Sequence, residues 1–460
     1  MLKKFITFLK KQNSFRYIAI GFLAVIFLGS GLLMIPGVAR EGINLKYIDA
    51  LYTSTSAVCV TGLIAVDTYE HFSLAGQIII MFLIQIGGLG ITTLGAGLIG
   101  ALRRRLSLKE QSIVQESLNF DSARGLLDLF KRVFLYTFII EVVGAGLSMI
   151  TFFKAPDFVE AGGASTAVFR SFFHSVAAFN NSGFDIMGGY TNFTIAPYNT
   201  DVFFNLLTCA LIILGGLGFL VLSDIRRNFF HPKKTSLHTK VVLLMTSILL
   251  VAGTLLFALT ERNRIASGDF SWLGAFFAST SARTAGFSTY TISEFTQAGQ
   301  IILIILMFIG ASPGSTGGGI KTTTFFVLFM GIKSMITHKK PHAFKYSVSE
   351  ESIKKAMSVL VLGLAVVLLG TIIICLIESN KALAIKDPNF TAADIIFEVT
   401  SAYGTVGLST GVTTYLSVGS KVISIIIMYT GRVGPLTIMS SWYSGKDEYF
   451  GYAEGIIPIG

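Results

Sequence analysis

The chain has 460 residues, 52% of them hydrophobic and 13% charged, with a mean hydropathy of +0.69 and a net charge of +10. Soluble domains carry roughly a quarter charged residues, so this chain lacks the polar surface of a soluble fold and belongs in a bilayer. The positive charge resides in basic loops and calls for no nucleic-acid partner. Three scattered cysteines, Cys59, Cys209 and Cys375, argue against a disulfide framework or a zinc site.

In chain order, a basic start leads into an apolar run, Tyr17 to Ile35, of span length and without a small-residue cleavage signal after it. It reads as a retained first helix rather than a cleaved signal. Eight stretches are long and apolar enough to span: 17–36, 76–101, 133–153, 202–223, 240–260, 299–331, 357–377 and 420–440. Within each successive pair lies a shorter segment, 47–62, 168–183, 271–286 and 392–407. These are too short to cross and too apolar for solvated loops, and they read as re-entrant helices.

Basic residues orient the spans. The side holding both ends and the loops "RRR" (103–105), "IRRNFFHPKK" (225–234) and "HKKPHAFK" (338–345) carries 24 Lys/Arg against 10 Asp/Glu; the other carries 10 against 15. The positive-inside rule places both termini in the cytoplasm. Aligned on one glycine, the short segments end "TSAVCVTGL" (55–63), "VAAFNNSGF" (176–184), "TSARTAGFS" (280–288) and "TSAYGTVGL" (400–408). Gly62, Gly183, Gly286 and Gly407 share the column, so the phrase is written four times. The expected fold is an all-α polytopic membrane protein of four helix–pore-helix–helix repeats around one central pore. The repeats divide at 1–105, 106–225, 226–345 and 346–460.

Irregular backbone inside a membrane survives only when buried in protein or lining a watery cavity. Four glycine loops around one axis meet that condition, and their carbonyls can replace the hydration shell of a cation. The sixth span carries "FIGASPGSTGGGIKTTT" (308–324), where Pro313 with Gly310, Gly314, Gly317, Gly318 and Gly319 cannot sustain a continuous helix. Arg432 in the last span is expensive unless it is functional; backbone carbonyls of the broken segment are its expected partners. Lys321 either serves the same segment or snorkels to the inner surface. Arg283, Asn180 and Asn181 read as braces behind the loops, and Glu141 as a partner for a neighbouring helix. The amphipathic stretch 105–132 is either a membrane-surface helix or a docking surface, and the tail 449–460 is apolar for a terminus. Only His174 of the six histidines lies in a membrane segment, and no nucleophile–base or metal set converges there, which speaks against an enzyme.

The "TVGL" phrase is similar to the potassium-channel filter. With "DALYTSTSAVCVTGL" (49–63), "LIQIGGLGITT" (83–93), "FHSVAAFNNSGF" (173–184), "RTAGF" (283–287) and "YTGRVGPLT" (429–437), nearly the whole chain resembles the Trk/Ktr/HKT superfamily of potassium transporters. The nearest resemblance is to the membrane subunit of bacterial Ktr systems, because Trk-type subunits generally carry extra spans before the first repeat. The resemblance implies a bacterial plasma-membrane protein whose filter is lined by main-chain oxygens of Val60, Thr61 and Gly62; Asn181, Ser182 and Gly183; Thr284, Ala285 and Gly286; and Thr405, Val406 and Gly407. It also implies a gate made of Gly310, Ala311, Ser312, Pro313, Gly314, Ser315, Thr316, Gly317, Gly318 and Gly319 with Lys321 and Arg432. K+ is the implied substrate, with Na+ coupling open. The implied partners are a second copy, in a homodimer, and a cytosolic nucleotide-binding ring. No Walker-type phosphate loop occurs in this chain, so nucleotide control would come from that ring. In related plant transporters serine at the first filter glycine accompanies sodium selectivity; Gly62 here favours potassium. A sodium or non-selective transporter on the same scaffold is the alternative.

Overall fold

Four times along the chain an apolar helix is followed by a short helix, an irregular loop and a second apolar helix. The computed structural model describes residues 14–90, 126–154, 163–188, 195–380, 391–435 and 437–438. The first helices of the four units are α1 (Ser14–Leu33), α4 (Leu126–Phe152), α8 (Leu237–Thr260) and α12 (Glu350–Asn380). The short helices are α2 (Tyr47–Val58), α5 (Gly163–Phe179), α9 (Trp272–Ser281) and α13 (Ala392–Gly404). The second helices are α3 (Leu74–Leu89), α6 (Val202–Leu217) with α7 (Phe219–Arg227), α10 (Gln297–Phe308) with α11 (Thr322–Thr337), and α14 (Val418–Val433). Among the described residues the only strands form a two-residue hairpin, His342–Ala343 with Tyr346–Ser347.

In the first three units the short helix is tied to the first helix of its unit by small residues. Ser54, Ser175 and Ser279 donate to the carbonyls of Ile26, Glu141 and Leu250 at 2.7, 2.7 and 3.0 Å. Each serine faces a glycine, Gly29, Gly144 or Gly253, where an added Cβ would strike its hydroxyl. Small residues and interhelical hydroxyl bonds are how helices associate without a hydrophobic driving force between them.

The second helices all begin with a side-chain cap: Ser73, Asp201, Thr296 and Ser417 accept from Gly76, Phe204, Gly299 and Ser420 N–H groups. In three units the helix also breaks at the same distance from that cap, which corrects the expectation of three continuous second spans. Gly90, Gly218 and Gly434 end α3, α6 and α14 with φ of 81°, 92° and 92° and ψ of 133°, 146° and 135°. Only glycine adopts that backbone without strain. At Gly218 the chain turns by 95°. In the third unit the same position is Pro313, inside the expected interruption. Of the described helices, Lys131–Phe152, Leu237–Thr260 and Glu350–Ser379 are each long and apolar enough to cross a membrane alone, and the bent pair α6–α7 makes a fourth. The shorter apolar helix Leu74–Leu89 ends at one of these breaks, and Gln297–Phe308 and Thr322–Thr337 flank the interrupted segment. Residues 91–101 of the expected second span, 105–125 of the amphipathic stretch and the tail 449–460 lie outside the described residues.

The ring of units closes through charge. Lys421 in α14 donates to Asp49 in α2 at 2.8 Å, and both side chains are about nine-tenths buried. In the first three units the equivalent positions hold amides, Gln77, Asn205 and Gln300, each bonded to its own loop carbonyls. Lys421→Met strands a buried carboxylate and is expected to cost about 3–5 kcal/mol, read as a lowered melting temperature in detergent. Asp49→Leu combined with Lys421→Met should recover most of the loss. A double variant no more stable than Lys421→Met alone would show that the contact acts otherwise than through charge.

Candidate functional site

The loops after the four short helices share an unusual backbone. Gly62, Gly183, Gly286 and Gly407 have φ of 86°, 68°, 77° and 97°, and the residues two positions earlier, Val60, Asn181, Thr284 and Thr405, have φ of 56°, 56°, 72° and 49°. Positive φ is uncommon for any residue with a Cβ, and for β-branched residues such as Val60, Thr284 and Thr405 it is a genuine outlier. Each such residue costs of order 1–3 kcal/mol and persists only where the surroundings over-determine it. All four are fully buried.

Hydrogen bonds back to the short helix hold each turn. Thr61, Ser182 and Val406 N–H groups donate to Ser56, Ala177 and Ser401 carbonyls, five residues back, at 2.7, 2.9 and 2.9 Å. In the third loop Ala285 reaches only four residues back, to Ser281, at 2.9 Å. Ser279 also stands one position nearer its glycine than Ser54 and Ser175 do, an offset hidden when the segments are aligned on the glycine alone. Ser56 and Ser401 hydroxyls also accept from Gly62 and Gly407 N–H groups at 3.0 and 3.1 Å.

The four loops form a closed ring. A Cβ placed on Gly62 would lie within 3.0 Å of the Ser182 carbonyl oxygen. The same construction on Gly183 meets Ala285, on Gly286 meets Val406, and on Gly407 meets Thr61. Each carbonyl belongs to the residue just before the glycine of the next loop, and the order runs through all four units back to the first. The structure thus brings together all twelve residues expected at the filter. The short helices end at this ring, so the negative ends of their dipoles favour a cation there.

Glu398, which the sequence reading missed, supports the fourth loop. Its Oε1 accepts from the Ser409 hydroxyl at 2.6 Å and the Thr410 N–H at 2.8 Å, and its Oε2 from the Thr413 hydroxyl. The signal was a lone carboxylate nine residues before Gly407, where the first two units carry Thr53 and His174. The Asn180 amide nitrogen, with two hydrogens to donate, stands 2.9, 3.0 and 2.9 Å from the Gln85, Glu141 and Val176 oxygens. The Asn181 amide, oriented to satisfy both its ends, donates to Ala178 and Ile212 carbonyls at 3.2 Å. Arg283 reaches the Thr246 hydroxyl of α8 at 3.4 Å. Beyond the second loop, burial pushes the Asp185 carboxyl up to about 8. The Met187 N–H opposes that rise, the neighbouring Asp67 adds to it, and the Arg170 guanidinium pulls against it.

The interrupted segment between α10 and α11 lies against this ring. Gly310 N–H donates to Ile320 at 2.8 Å, closing the segment at its base. Ser312 and Thr316 N–H groups donate to Gly216 and Gly215, and the Gly314 carbonyl accepts from Phe219, so the segment docks on the break in α6. Gly318 N–H donates to the Thr405 hydroxyl at 2.9 Å. A Cβ on Gly317 would strike the Thr284 hydroxyl, and one on Gly318 the Thr405 side chain. Lys321 donates to the Gly317 carbonyl at 2.6 Å. Arg432 donates to the Thr316 carbonyl and, from its other nitrogen, to the Gly87 carbonyl of α3.

Comparison with known proteins follows the same lines. The family model for TrkH, described as "Cation transport protein", matches residues 3–442. The chain is 38% identical to the Ktr system potassium uptake protein B of Vibrio alginolyticus, covering 97% of this chain and 94% of that protein. It is 35% identical to the potassium/sodium uptake protein NtpJ of Enterococcus hirae, covering 94% and 93%. The crystal structure of the potassium transporter TrkH from Vibrio parahaemolyticus has a similar fold, with a TM-score of 0.70 at 16% identity over 94% of this chain and 84% of that one.

Proposed function

The chain belongs to the TrkH family of cation transport proteins, and from that premise we propose that it carries potassium inward through the ring of four loops. It is a membrane transporter and not an enzyme. The observation that carries the reading is the repeated positive φ at both the glycine and the residue two before it, four times over, in a closed ring. Strain of this kind concentrates at ligand sites, and carbonyl oxygens are what a dehydrating K+ requires. The flanking residues differ between loops, so selectivity should be less strict than in a ring of four identical loops.

The segment 310–319 serves as the gate, held shut by Arg432 and Lys321 and released for conduction. Both termini lie in the cytoplasm, two copies associate, and a cytosolic nucleotide-binding ring controls the gate. The words "Ktr system" in the name of the Vibrio alginolyticus relative support such a partner. The chain divides into repeats at 1–105, 106–225, 226–345 and 346–460. A second reading, transport of sodium alongside or coupled to potassium, is favoured by the similarity to a potassium/sodium uptake protein.

Reconstitution of the chain alone into liposomes under an inside-negative potential tests the proposal. Potassium uptake outpacing sodium uptake supports it; equal uptake of both ions supports the second reading. Absence of both fluxes, in a variant with the 310–319 segment shortened as well, would overturn the pore reading. Glu398→Gln replaces an acceptor of several hydrogen bonds with a group that must also donate. Charged hydrogen bonds contribute about 1.5–3 kcal/mol each, so the potassium-to-sodium ratio should fall by roughly tenfold. An unchanged ratio would remove Glu398 from the selectivity machinery.

A further inference from the structure

Between α3 and α4, where the first unit meets the second, a cavity of about 430 Å3 opens on the lipid-facing side. Its rim is apolar: Met81, Phe82 and Phe138 line it, the two phenylalanines being 60% and 66% exposed. Its floor is polar, formed by Gln85, Thr137 and Glu141. Thr137 is almost fully buried, and its hydroxyl has no hydrogen-bond partner among the described residues. Helical threonines elsewhere in the chain, Thr208, Thr371 and Thr400 among them, donate to the carbonyl four residues back. A buried hydroxyl left without a hydrogen bond is destabilising.

We propose that this cavity binds a medium-chain aliphatic alcohol, or an amphiphile of that class, drawn from the lipid phase, and that its occupancy reaches the filter through Asn180. Glu141 stands eleven residues before the end of α4 at Phe152, roughly 16 Å along the helix and therefore near the middle of a hydrocarbon core about 30 Å thick. A phospholipid headgroup anchored at the surface does not reach that depth; a whole small amphiphile does. One hydroxyl can donate to the Glu141 carboxyl group while accepting from Thr137, and a chain of about eight to ten carbons suits the apolar part of a pocket this size. The link to the filter is the Asn180 amide nitrogen, which carries two hydrogens but stands within bonding distance of the Gln85, Glu141 and Val176 oxygens. A ligand that engages Glu141 redistributes those hydrogens, and Asn180 is bonded directly to Asn181 of the second loop.

The test uses the full chain in phosphatidylcholine liposomes with 1-octanol carrying a photoreactive diazirine, the labelled positions being read by mass spectrometry. This binding readout does not depend on the transport reading. Labelling should concentrate on peptides containing Phe82 and Phe138, saturate, and be competed by unlabelled 1-octanol. Thr137→Val should weaken that competition about tenfold, the value of one hydrogen bond. Met81→Trp, which fills the cavity, should remove the labelling; helicity and gel-filtration behaviour report that both variants are folded. In wild-type liposomes 1-octanol should change ion flux with the same midpoint as the labelling. Label spread evenly over the lipid-facing phenylalanines, or unaltered in both folded variants, would overturn the site. So would cross-links between two chains at Phe82 or Phe138, which would make a second copy the occupant. A flux response linear in octanol and equal in Met81→Trp would overturn the coupling.

Discussion

Gly62→Ser should remove most of the preference for potassium over sodium while leaving the protein folded. Gly62 has φ of 86°, a conformation that costs a residue with a Cβ roughly 1–2 kcal/mol. The added Cβ also runs into the Ser182 carbonyl oxygen of the second loop. That oxygen cannot stay in place, so under the proposed function the ring's carbonyls match the K+ hydration shell less well. A strain of this size against one carbonyl is enough for a change of tenfold or more, since 1.4 kcal/mol is a factor of ten. The measurement is paired potassium and sodium uptake into liposomes, with Gly42→Ser as control. Gly42 also has positive φ, of 82°, but nothing lies within 4 Å of its added Cβ. If Gly42→Ser lowered the ratio as much as Gly62→Ser, backbone strain in general rather than the ring would be responsible.

Arg432→Ala should raise the rate of ion flux by at least tenfold and make it independent of any cytosolic partner. The guanidinium joins the Thr316 carbonyl of the interrupted segment to the Gly87 carbonyl of α3, and no carboxylate faces it among the described ion pairs. Charge-assisted hydrogen bonds contribute about 1.5–3 kcal/mol each. Losing the two therefore shifts the balance between a docked and an undocked segment by two orders of magnitude or more. Arg432→Lys keeps the charge but supplies a single ammonium in place of the forked guanidinium, so its flux should fall between the two. Flux that drops in Arg432→Ala, with the protein still monodisperse, would mean that the arginine supports the pore instead of restraining the segment.

Several local signals were legible along the chain. The glycine after each short helix and the proline within a glycine cluster at Pro313 are visible without a fold, because each acts on its own stretch of backbone. Other features were not. The breaks at Gly90, Gly218 and Gly434 sit inside runs that hydropathy reads as continuous, and glycine is common enough in membrane helices that none of the three stands out. The one-residue offset of Ser279 from its counterparts Ser54 and Ser175 disappears once the segments are aligned on their glycines.

Composition and repetition by themselves determined that this chain lives in a bilayer, that one motif is written four times, and that the sixth span is interrupted. Hydropathy and the Gly/Pro pattern are properties of neighbouring residues, so sequence order is enough to show them. Only the tertiary structure decided that Val60, Asn181, Thr284 and Thr405 take left-handed backbone. Local preference runs against this for three of them, and the burial and hydrogen bonding of the assembled ring override it. It also decided that Lys421 closes the ring on Asp49, that Arg432 spans the segment and α3, and that Glu398 holds the fourth loop. The Lys421–Asp49 and Arg432–Gly87 contacts join residues more than three hundred positions apart, and their energy exists only once four units have packed around one axis.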